Sequence, residues 1–229
     1  MAGRVISVVP SLITACNVLA GLMAILAAIE GQPDLAVFLI FIGFFADTID
    51  GPVARWLNAT SDFGKALDSM GDLITFGVAP FVLLHTLSTT ISMSFIAAVF
   101  SLAAVFRLAR FDSQPSPPGQ HLGLAAPFAA IMVSSSVALD LPQWLLAIVT
   151  VVCSILMVTT RRYLKPGTRT DKRELRLIWL VHLLALVVIF GASLANWLDL
   201  ATISRACHWL MWALVLAYIT LGGVPPLKL

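Results

Sequence analysis

The sequence predicts an all-α fold, a bundle of membrane-spanning helices, and three observations support this. The 229 residues are 59% hydrophobic and 11% charged, and the mean hydropathy of +0.97 exceeds that of soluble domains. The apolar residues are grouped in runs of about the 20 residues that a helix needs to cross a bilayer. Basic residues concentrate in alternate connections between these runs. We therefore expect an integral membrane protein surrounded by membrane lipids.

Eight apolar runs are candidate spans. They lie near residues 8–29, 35–57, 66–88, 91–110, 123–141, 144–160, 177–198 and 202–221. Proline does not continue a helix interior, so Pro33, Pro142 and the prolines at 115, 117 and 118 mark connections. We expect the first run to be a retained helix, because it is too long for the apolar region of a cleaved signal peptide.

The distribution of charge predicts the orientation of the bundle. If the N-terminus is cytoplasmic, the basic loop at 161–176 and most other Lys and Arg residues are cytoplasmic too. The opposite side then carries Glu30, Asp34, Asp140 and Asp199, with Arg205 as its basic residue. This asymmetry follows the positive-inside rule and predicts an inner or plasma membrane protein. The formal net charge of +2 gives no indication of a nucleic-acid partner.

Four carboxylates interrupt the second and third runs. Asp47 and Asp50 are three residues apart, and Asp68 and Asp72 are four apart, so each pair lies on one face of its helix. An ionised side chain inside a membrane costs several kcal/mol unless it is compensated. Two divalent cations would cancel the four charges, and oxygen-only ligands suit Mg²⁺ or Mn²⁺. We therefore predict a two-ion metal site between these helices.

Small residues accompany the carboxylates. Gly51, Ala54 and Gly64 leave backbone accessible to a bulky phosphate or base, and Arg55 adds a cation beside them. Gly21 and Gly43 are instead interpreted as helix-packing residues. The four histidines are interpreted as structural or interfacial, and His121 is the one whose loop could border a site.

The fixed positions form the pattern Asp47-x2-Asp50-Gly51-x2-Ala54-Arg55-x8-Gly64-x3-Asp68-x3-Asp72. At every fixed position this resembles the signature of the CDP-alcohol phosphotransferase family. The resemblance implies a six-helix core whose site opens to the cytoplasm, transfer of a phosphatidyl group from CDP-diacylglycerol to an alcohol with release of CMP, and a homodimer. We accordingly expect a core at residues 1–165, followed at 166–229 by a basic loop and two further spans.

The family resemblance also implies roles for individual residues. Asp47, Asp50 and Asp68 would bind metal, while Asp72 would contact one metal and accept the proton of the alcohol. The CDP group would be held by a second set of residues: Asn17, Gly51, Ala54, Arg55, Ser61 and Gly64. Asn17 and Ser61 could instead satisfy a neighbouring helix or cap a turn.

Within the family, residues 10–14, 67–80, 107–111 and 123–124 resemble the phosphatidylserine synthase branch. That resemblance implies L-serine as the acceptor. Arg107 and Arg110 are then candidates for binding its carboxylate, because a guanidinium can donate two parallel hydrogen bonds to it. The bland alternative is that both arginines only anchor the end of the fourth helix.

Other functions stay open at this point. Glycerol phosphate, inositol phosphate or choline could be the acceptor, and Pro52 resembles the choline branch. An ion channel or transporter could also use intramembrane carboxylates. That class predicts acids spread through the membrane and gives no reason for Gly51, Ala54, Arg55 and Gly64 at fixed offsets.

Overall fold

The computed structural model describes residues 2–88, 90–114, 120–164, 191 and 201–221. Its helices are α1 (Ala2–Ile29), α2 (Pro33–Trp56), α3 (Asp62–Asp72), α4 (Ala79–Leu87), α5 (Ile91–Ser113), α6 (Ala126–Ala138), α7 (Gln143–Val158) and α8 (Ala201–Leu221). A π-helical segment, Leu73–Val78, joins α3 to α4, so that Asp62–Leu87 is one continuous helical element. Two short strands, β1 (Gln120–Leu122) and β2 (Arg162–Leu164), pair antiparallel.

The predicted all-α membrane fold is confirmed. In the part of the chain described, five elements are long and apolar enough to cross a membrane: Val9–Ile29, Pro33–Trp56, Asp62–Leu87, Ile91–Ser113 and Thr202–Thr220. Helices α6 and α7 are apolar but shorter. The total of eight spans stays a prediction, because the run at 177–198, apart from Gly191, and the boundary expected after residue 165 lie outside the described residues.

Helix α1 has one face toward lipid and one toward the bundle. Leu12, Leu19 and Met23 are exposed, as an apolar surface in a bilayer must be, whereas Thr14 and Asn17 are buried. Polar side chains in a spanning helix normally face the bundle interior because lipid offers them no hydrogen bonds. The polar face of α1 is therefore available to a buried site.

Two tight connections bring α1, α2 and α3 side by side. Gly31 has a φ of +72°, which glycine adopts readily, and Pro33 begins α2 at a position where its missing N–H is not needed. At the other end of α2, Ser61 is the N-cap of α3, and its Oγ accepts a hydrogen bond of 3.0 Å from the Gly64 N–H. The C-terminal end of α2 and the N-terminal end of α3 therefore lie on the same side of the bundle.

Small residues let the π-helical segment approach α1 and α2. A Cβ atom added to either Gly21 or Gly43 would collide with the Thr75 side chain. Thr75 Oγ1 in turn donates a 2.9 Å hydrogen bond to the Asn17 carbonyl. The helix-packing interpretation of both glycines is confirmed, and the close approach fixes the segment that follows Asp72.

The strand pair was not predicted, and it joins the end of α5 to the end of α7. Arg110 Nη1 donates to the Val158 carbonyl at 2.8 Å, and Nη2 donates to the carbonyls of Leu122, Met157 and Thr159 at 3.1 Å. The pairing places His121 directly opposite Tyr163. Short strands of three residues have no periodicity that a sequence pattern could reveal.

Candidate active site

Four carboxylates meet between α2 and α3. One carboxylate oxygen from each of Asp47, Asp50 and Asp68 lies within 4.8 Å of the other two. The Asp72 side chain is adjacent to that of Asp47. Asp50 and Asp72 are only 6% and 7% exposed. The two stripes expected from the sequence thus form a single acidic cluster.

The acidic cluster has a deficit of positive charge. None of its four carboxylates forms a salt bridge with a described residue. Asp68 Oδ1 is buried and has no hydrogen-bond partner among the described residues. Buried oxygens of this kind need a cation or a donor. The all-oxygen donor set and its close spacing therefore fit a hard divalent cation.

Helix α1 supplies hydrogen bonds to this cluster. Thr14 Oγ1 donates to Asp50 Oδ2 at 2.8 Å, and Asn17 Nδ2 donates to Asp72 Oδ1 at 3.3 Å. Asn17 is fully buried and its Oδ1 has no described partner. Asn17 was expected to contact a CDP group directly. Its buried position favours another role, which is to hold the Asp72 carboxylate. Thr14 was missed, although a Thr and an Asn three residues apart on an apolar helix were a usable signal.

The small-residue positions lie at the connection between α2 and α3. A Cβ atom on Gly51 would meet only Arg55 Nη1, at 3.4 Å, so the arginine lies beside an otherwise open backbone. Gly64 lies in the first turn of α3 against the Ser61 hydroxyl. Ser61 is therefore used as a helix cap, while Gly51 and Arg55 border Asp50 from the end of α2, where Ala54 also lies.

The two candidate arginines of α5 have different surroundings. Arg107 is 7% exposed, and its guanidinium is close enough to Asp47 and Asp72 to interact with both. Its Nε is buried without a hydrogen-bond partner among the described residues. Arg110 instead uses Nη1 and Nη2 on the four carbonyls of the strand-pair region. Of the pair predicted to bind the acceptor, only Arg107 therefore faces the acidic cluster.

Residues 7–156 match the family model described as CDP-alcohol phosphatidyltransferase. The chain belongs to the CDP-alcohol phosphatidyltransferase family. The chain is 37% identical over 159 residues to the CDP-diacylglycerol–serine O-phosphatidyltransferase of Bacillus subtilis (strain 168), which covers 68% of this chain and 89% of that relative. Enzymes of the same name from Mycobacterium leprae (strain TN) and Helicobacter pylori (strain ATCC 700392 / 26695) are also similar. The first is 30% identical over 231 residues, covering 93% of this chain and 73% of the relative. The second is 34% identical over 195 residues, covering 79% of this chain and 81% of the relative.

The family match includes the acidic cluster, Arg107 and Arg110, but it ends before β2 and α8. Two aromatic residues from beyond the match, Tyr163 and Tyr218, stack on each other with ring centroids 5.6 Å apart. The Tyr218 hydroxyl lies 3.2 Å from His121 Nε2. Neither tyrosine could be identified from the sequence, because both lie far from the motif: Tyr163 is in the basic connection after α7, and Tyr218 is in an apolar run.

Proposed function

We propose that this chain transfers the phosphatidyl group of CDP-diacylglycerol to the hydroxyl of L-serine and releases CMP. One observation carries the proposal: a buried acidic cluster with the family motif lies next to Arg107, whose Nε has no partner among the described residues. The names of the similar enzymes from Bacillus, Mycobacterium and Helicobacter support serine as the acceptor.

The proposed metal ligands are Asp47, Asp50, Asp68 and Asp72, and the ions are two of Mg²⁺ or Mn²⁺. When bound, such cations would neutralise negative charge that develops on the pyrophosphate as CMP leaves. Oxygen-only ligands, the short separation of the carboxylates and the buried, unpartnered Asp68 Oδ1 support this assignment.

The end of α2 and the first turn of α3 are the proposed binding site of the CDP group. Gly51, Ala54 and Gly64 leave room for the backbone to approach phosphate or base, and Arg55 supplies positive charge. Ser61 would act by capping α3, which fixes the position of Gly64. Asn17 would act by orienting the Asp72 carboxylate.

In the proposed reaction, the serine hydroxyl oxygen forms a bond to the phosphorus that carries the lipid. The bond between that phosphorus and the oxygen of CMP breaks, and CMP leaves with the electron pair. Asp72 accepts the hydroxyl proton, since its carboxylate lies inside the cluster and Asn17 holds one of its oxygens. Arg107 binds the serine carboxylate through charge-assisted hydrogen bonds. Arg110 contributes indirectly, by holding the end of α5 to β1 and to the end of α7.

We further propose that the site faces the cytoplasm, because the α2–α3 connection is flanked by Arg55 and Lys65 and belongs to the alternate connections in which basic residues are concentrated. Residues 1–165 would then form the catalytic core and 166–229 an additional unit. A homodimer stays a prediction, which light scattering of the purified protein in detergent would test.

The deciding experiment measures CMP release by purified protein from CDP-diacylglycerol with Mg²⁺ or Mn²⁺ and a panel of alcohols. We expect release that depends on serine, stops in excess EDTA and returns with either metal. Asp68→Asn should abolish it, whereas Asp62→Asn on the same helix should not, because Asp62 is exposed and contacts only Lys65 among the described residues. Release with another alcohol but not with serine would overturn the acceptor assignment, and full activity in EDTA would overturn the metal site.

A further inference from the structure

The C-terminal end of α5 is hydrogen-bonded to α3 within the segment that carries the motif. Ser69 Oγ donates to Asp112 Oδ1 at 2.9 Å. Ser69 directly follows Asp68 and lies about one helical turn before Asp72, so the bond brings Asp112 to the edge of the acidic cluster. Asp112 is exposed and forms no salt bridge with a described residue. A fifth carboxylate therefore borders the site, and its charge is not paired within the described part of the chain.

A second contact fixes the register between α5 and the helical element that begins with α3. A Cβ atom added to Gly77 would lie 3.4 Å from the Ala104 Cβ. Gly77 follows the serine of the first contact and Ala104 precedes its aspartate, so the two elements run antiparallel. Arg107 and Asp72 each lie between the two contacts on their own helix. The end of α5 that carries Arg107 therefore lies at the depth of the acidic cluster.

The Arg107 side chain extends toward the turn of α5 that contains Asp112. Its Cζ lies 5.4 Å from the centroid of the Phe111 ring, and Phe111 is the residue before Asp112. Arg107 is buried, and its Nε has no hydrogen-bond partner among the described residues. One end of α5 thus presents a buried cation and an unpaired anion. An α-amino acid carries the complementary charges, a carboxylate and an ammonium group, on a single carbon atom.

We propose that Asp112 binds the ammonium group of L-serine while Arg107 binds its carboxylate. This inference rests on the proposed function and deepens it, because it assigns a partner to the second charged group of the acceptor. The carboxylates of the acidic cluster do not serve this purpose, since the proposed metal ions neutralise their charge. Ser69 holds Asp112 Oδ1 and leaves Oδ2 for the ammonium group, which has three donors.

The competing explanation is that Asp112 only ties α5 to α3. Asp112→Asn removes the negative charge but keeps a side-chain oxygen that can accept the hydrogen bond from Ser69. Ser69→Ala does the reverse, because it removes the bond and keeps the charge. Asp62→Asn is the matched control, since Asp62 is an exposed acid on the same helix α3 and pairs with Lys65.

The experiment determines KM for serine and for CDP-diacylglycerol in wild type and in these three variants. We expect Asp112→Asn to raise the serine KM by about 5- to 10-fold, near the low end for a charged hydrogen bond because water screens an exposed carboxylate. Ser69→Ala should raise it less, and Asp62→Asn should leave it unchanged. The KM for CDP-diacylglycerol should change less than twofold in Asp112→Asn. An unchanged serine KM in Asp112→Asn, or an equal increase in Asp62→Asn, would overturn the inference.

A second acceptor separates ammonium binding from a general distortion of the site. β-Hydroxypropionate has the hydroxyl and the carboxylate of serine but no ammonium group. Its kcat/KM as an acceptor, or its inhibition constant against serine, should be the same in wild type and Asp112→Asn. Equal weakening of β-hydroxypropionate and serine would overturn the inference.

Thermal stabilisation by L-serine in the presence of CMP provides a readout without turnover, and it should be weaker in Asp112→Asn than in wild type. This readout also separates the two proposals. If wild type itself shows no response to serine in either assay, the proposed function fails. If wild type responds to serine and Asp112→Asn matches it, this inference alone fails.

Discussion

The Thr14 hydroxyl lies 2.8 Å from Asp50 Oδ2, so helix α1 contributes directly to the orientation of a carboxylate on α2. The same hydroxyl is 3.1 Å from the Pro10 carbonyl one turn earlier. A threonine hydroxyl has one hydrogen, so the Asp50 bond and the local backbone bond compete for it. In the metal-bound state we expect the hydrogen to be donated to Asp50, because a charged acceptor is the stronger one.

Thr14→Val tests this relationship. The substitution retains the β-branched shape and removes the donor, so Asp50 loses its orientation while the helix packing is kept. Partners of metal ligands typically contribute 10- to 100-fold in affinity, and we expect about a 10-fold increase in the Mg²⁺ concentration for half-maximal CMP release. Thr14→Ser restores the donor and should approach wild type. Equal Mg²⁺ requirements in all three proteins would show that Thr14 has no effect on the site.

Asp72→Asn tests the proposed base. The amide can still occupy the site and keep a hydrogen bond to Asn17 after a rotation, but it cannot accept the proton of the alcohol. General-base catalysis contributes at least about 10²-fold, so turnover should fall by that factor or more. Binding of CDP-diacylglycerol, measured by thermal stabilisation, should persist. Turnover within a few-fold of wild type would remove Asp72 from this role.

The core of the fold could be predicted because its signals are local. The apolar runs near 8–29, 35–57 and 91–110 correspond to helices at Ala2–Ile29, Pro33–Trp56 and Ile91–Ser113. The run at 66–88 is part of a longer element that starts at Asp62, because the polar turn capped by Ser61 has no apolar signal. The π-helical segment also went unpredicted, since it depends on Thr75 packing against Gly21 and Gly43 from other helices.

The site could be predicted only where function places several unusual residues on one helix face. The four aspartates are conspicuous in an apolar sequence, and the spacing of Asp47, Asp50, Asp68 and Asp72 allowed their convergence to be predicted. Arg107 and Arg110 looked equivalent, because their difference arises from the carbonyls at the end of α7. Tyr218 could not be identified, since its relation to His121 depends on the tertiary placement of α8.

Gly123 provides a test of the strand-pair region. Its φ is +74°, and an added Cβ would collide with the Met157 carbonyl and lie 2.7 Å from Arg110 Nη2. We expect Gly123→Ala to cost at least about 2 kcal/mol, from backbone strain of about 1–2 kcal/mol and the overlap together. Gly31 has a similar φ of +72° with nothing within 4 Å of an added Cβ. Gly31→Ala should therefore cost only the strain.

Thermal unfolding in detergent measures the difference between the two glycine variants. For a chain of this size, 1 kcal/mol corresponds to about 2–4 °C in Tm, so Gly123→Ala should unfold at least about 4 °C below wild type. Gly31→Ala should show the smaller decrease. An equal decrease in both proteins would indicate that backbone strain alone matters at Gly123.

Arg107→Lys and Arg110→Lys distinguish acceptor binding from structural support. Lysine keeps the positive charge but loses the planar fork that engages a carboxylate bidentately. At Arg107, loss of one charged hydrogen bond costs roughly 1.5–3 kcal/mol, which is about a 10- to 150-fold increase in the serine KM. The KM for CDP-diacylglycerol should change little, because the proposed CDP-binding residues lie on α2 and α3.

At Arg110 the same substitution should act on stability. Its guanidinium reaches four carbonyls from two nitrogens, and a single ammonium at the end of a different side chain cannot reproduce that geometry. We expect the free energy of unfolding to fall by at least about 1.5 kcal/mol, which is visible as a lower Tm. The value of kcat should also fall, while the ratio of the KM for serine to the KM for CDP-diacylglycerol should stay near that of wild type. Because lysine keeps the positive charge at both positions, a role for charge alone would leave both variants close to wild type. A serine KM that rises in Arg110→Lys but not in Arg107→Lys would reverse the assignment, and an unchanged serine KM in both would exclude either arginine as the carboxylate partner.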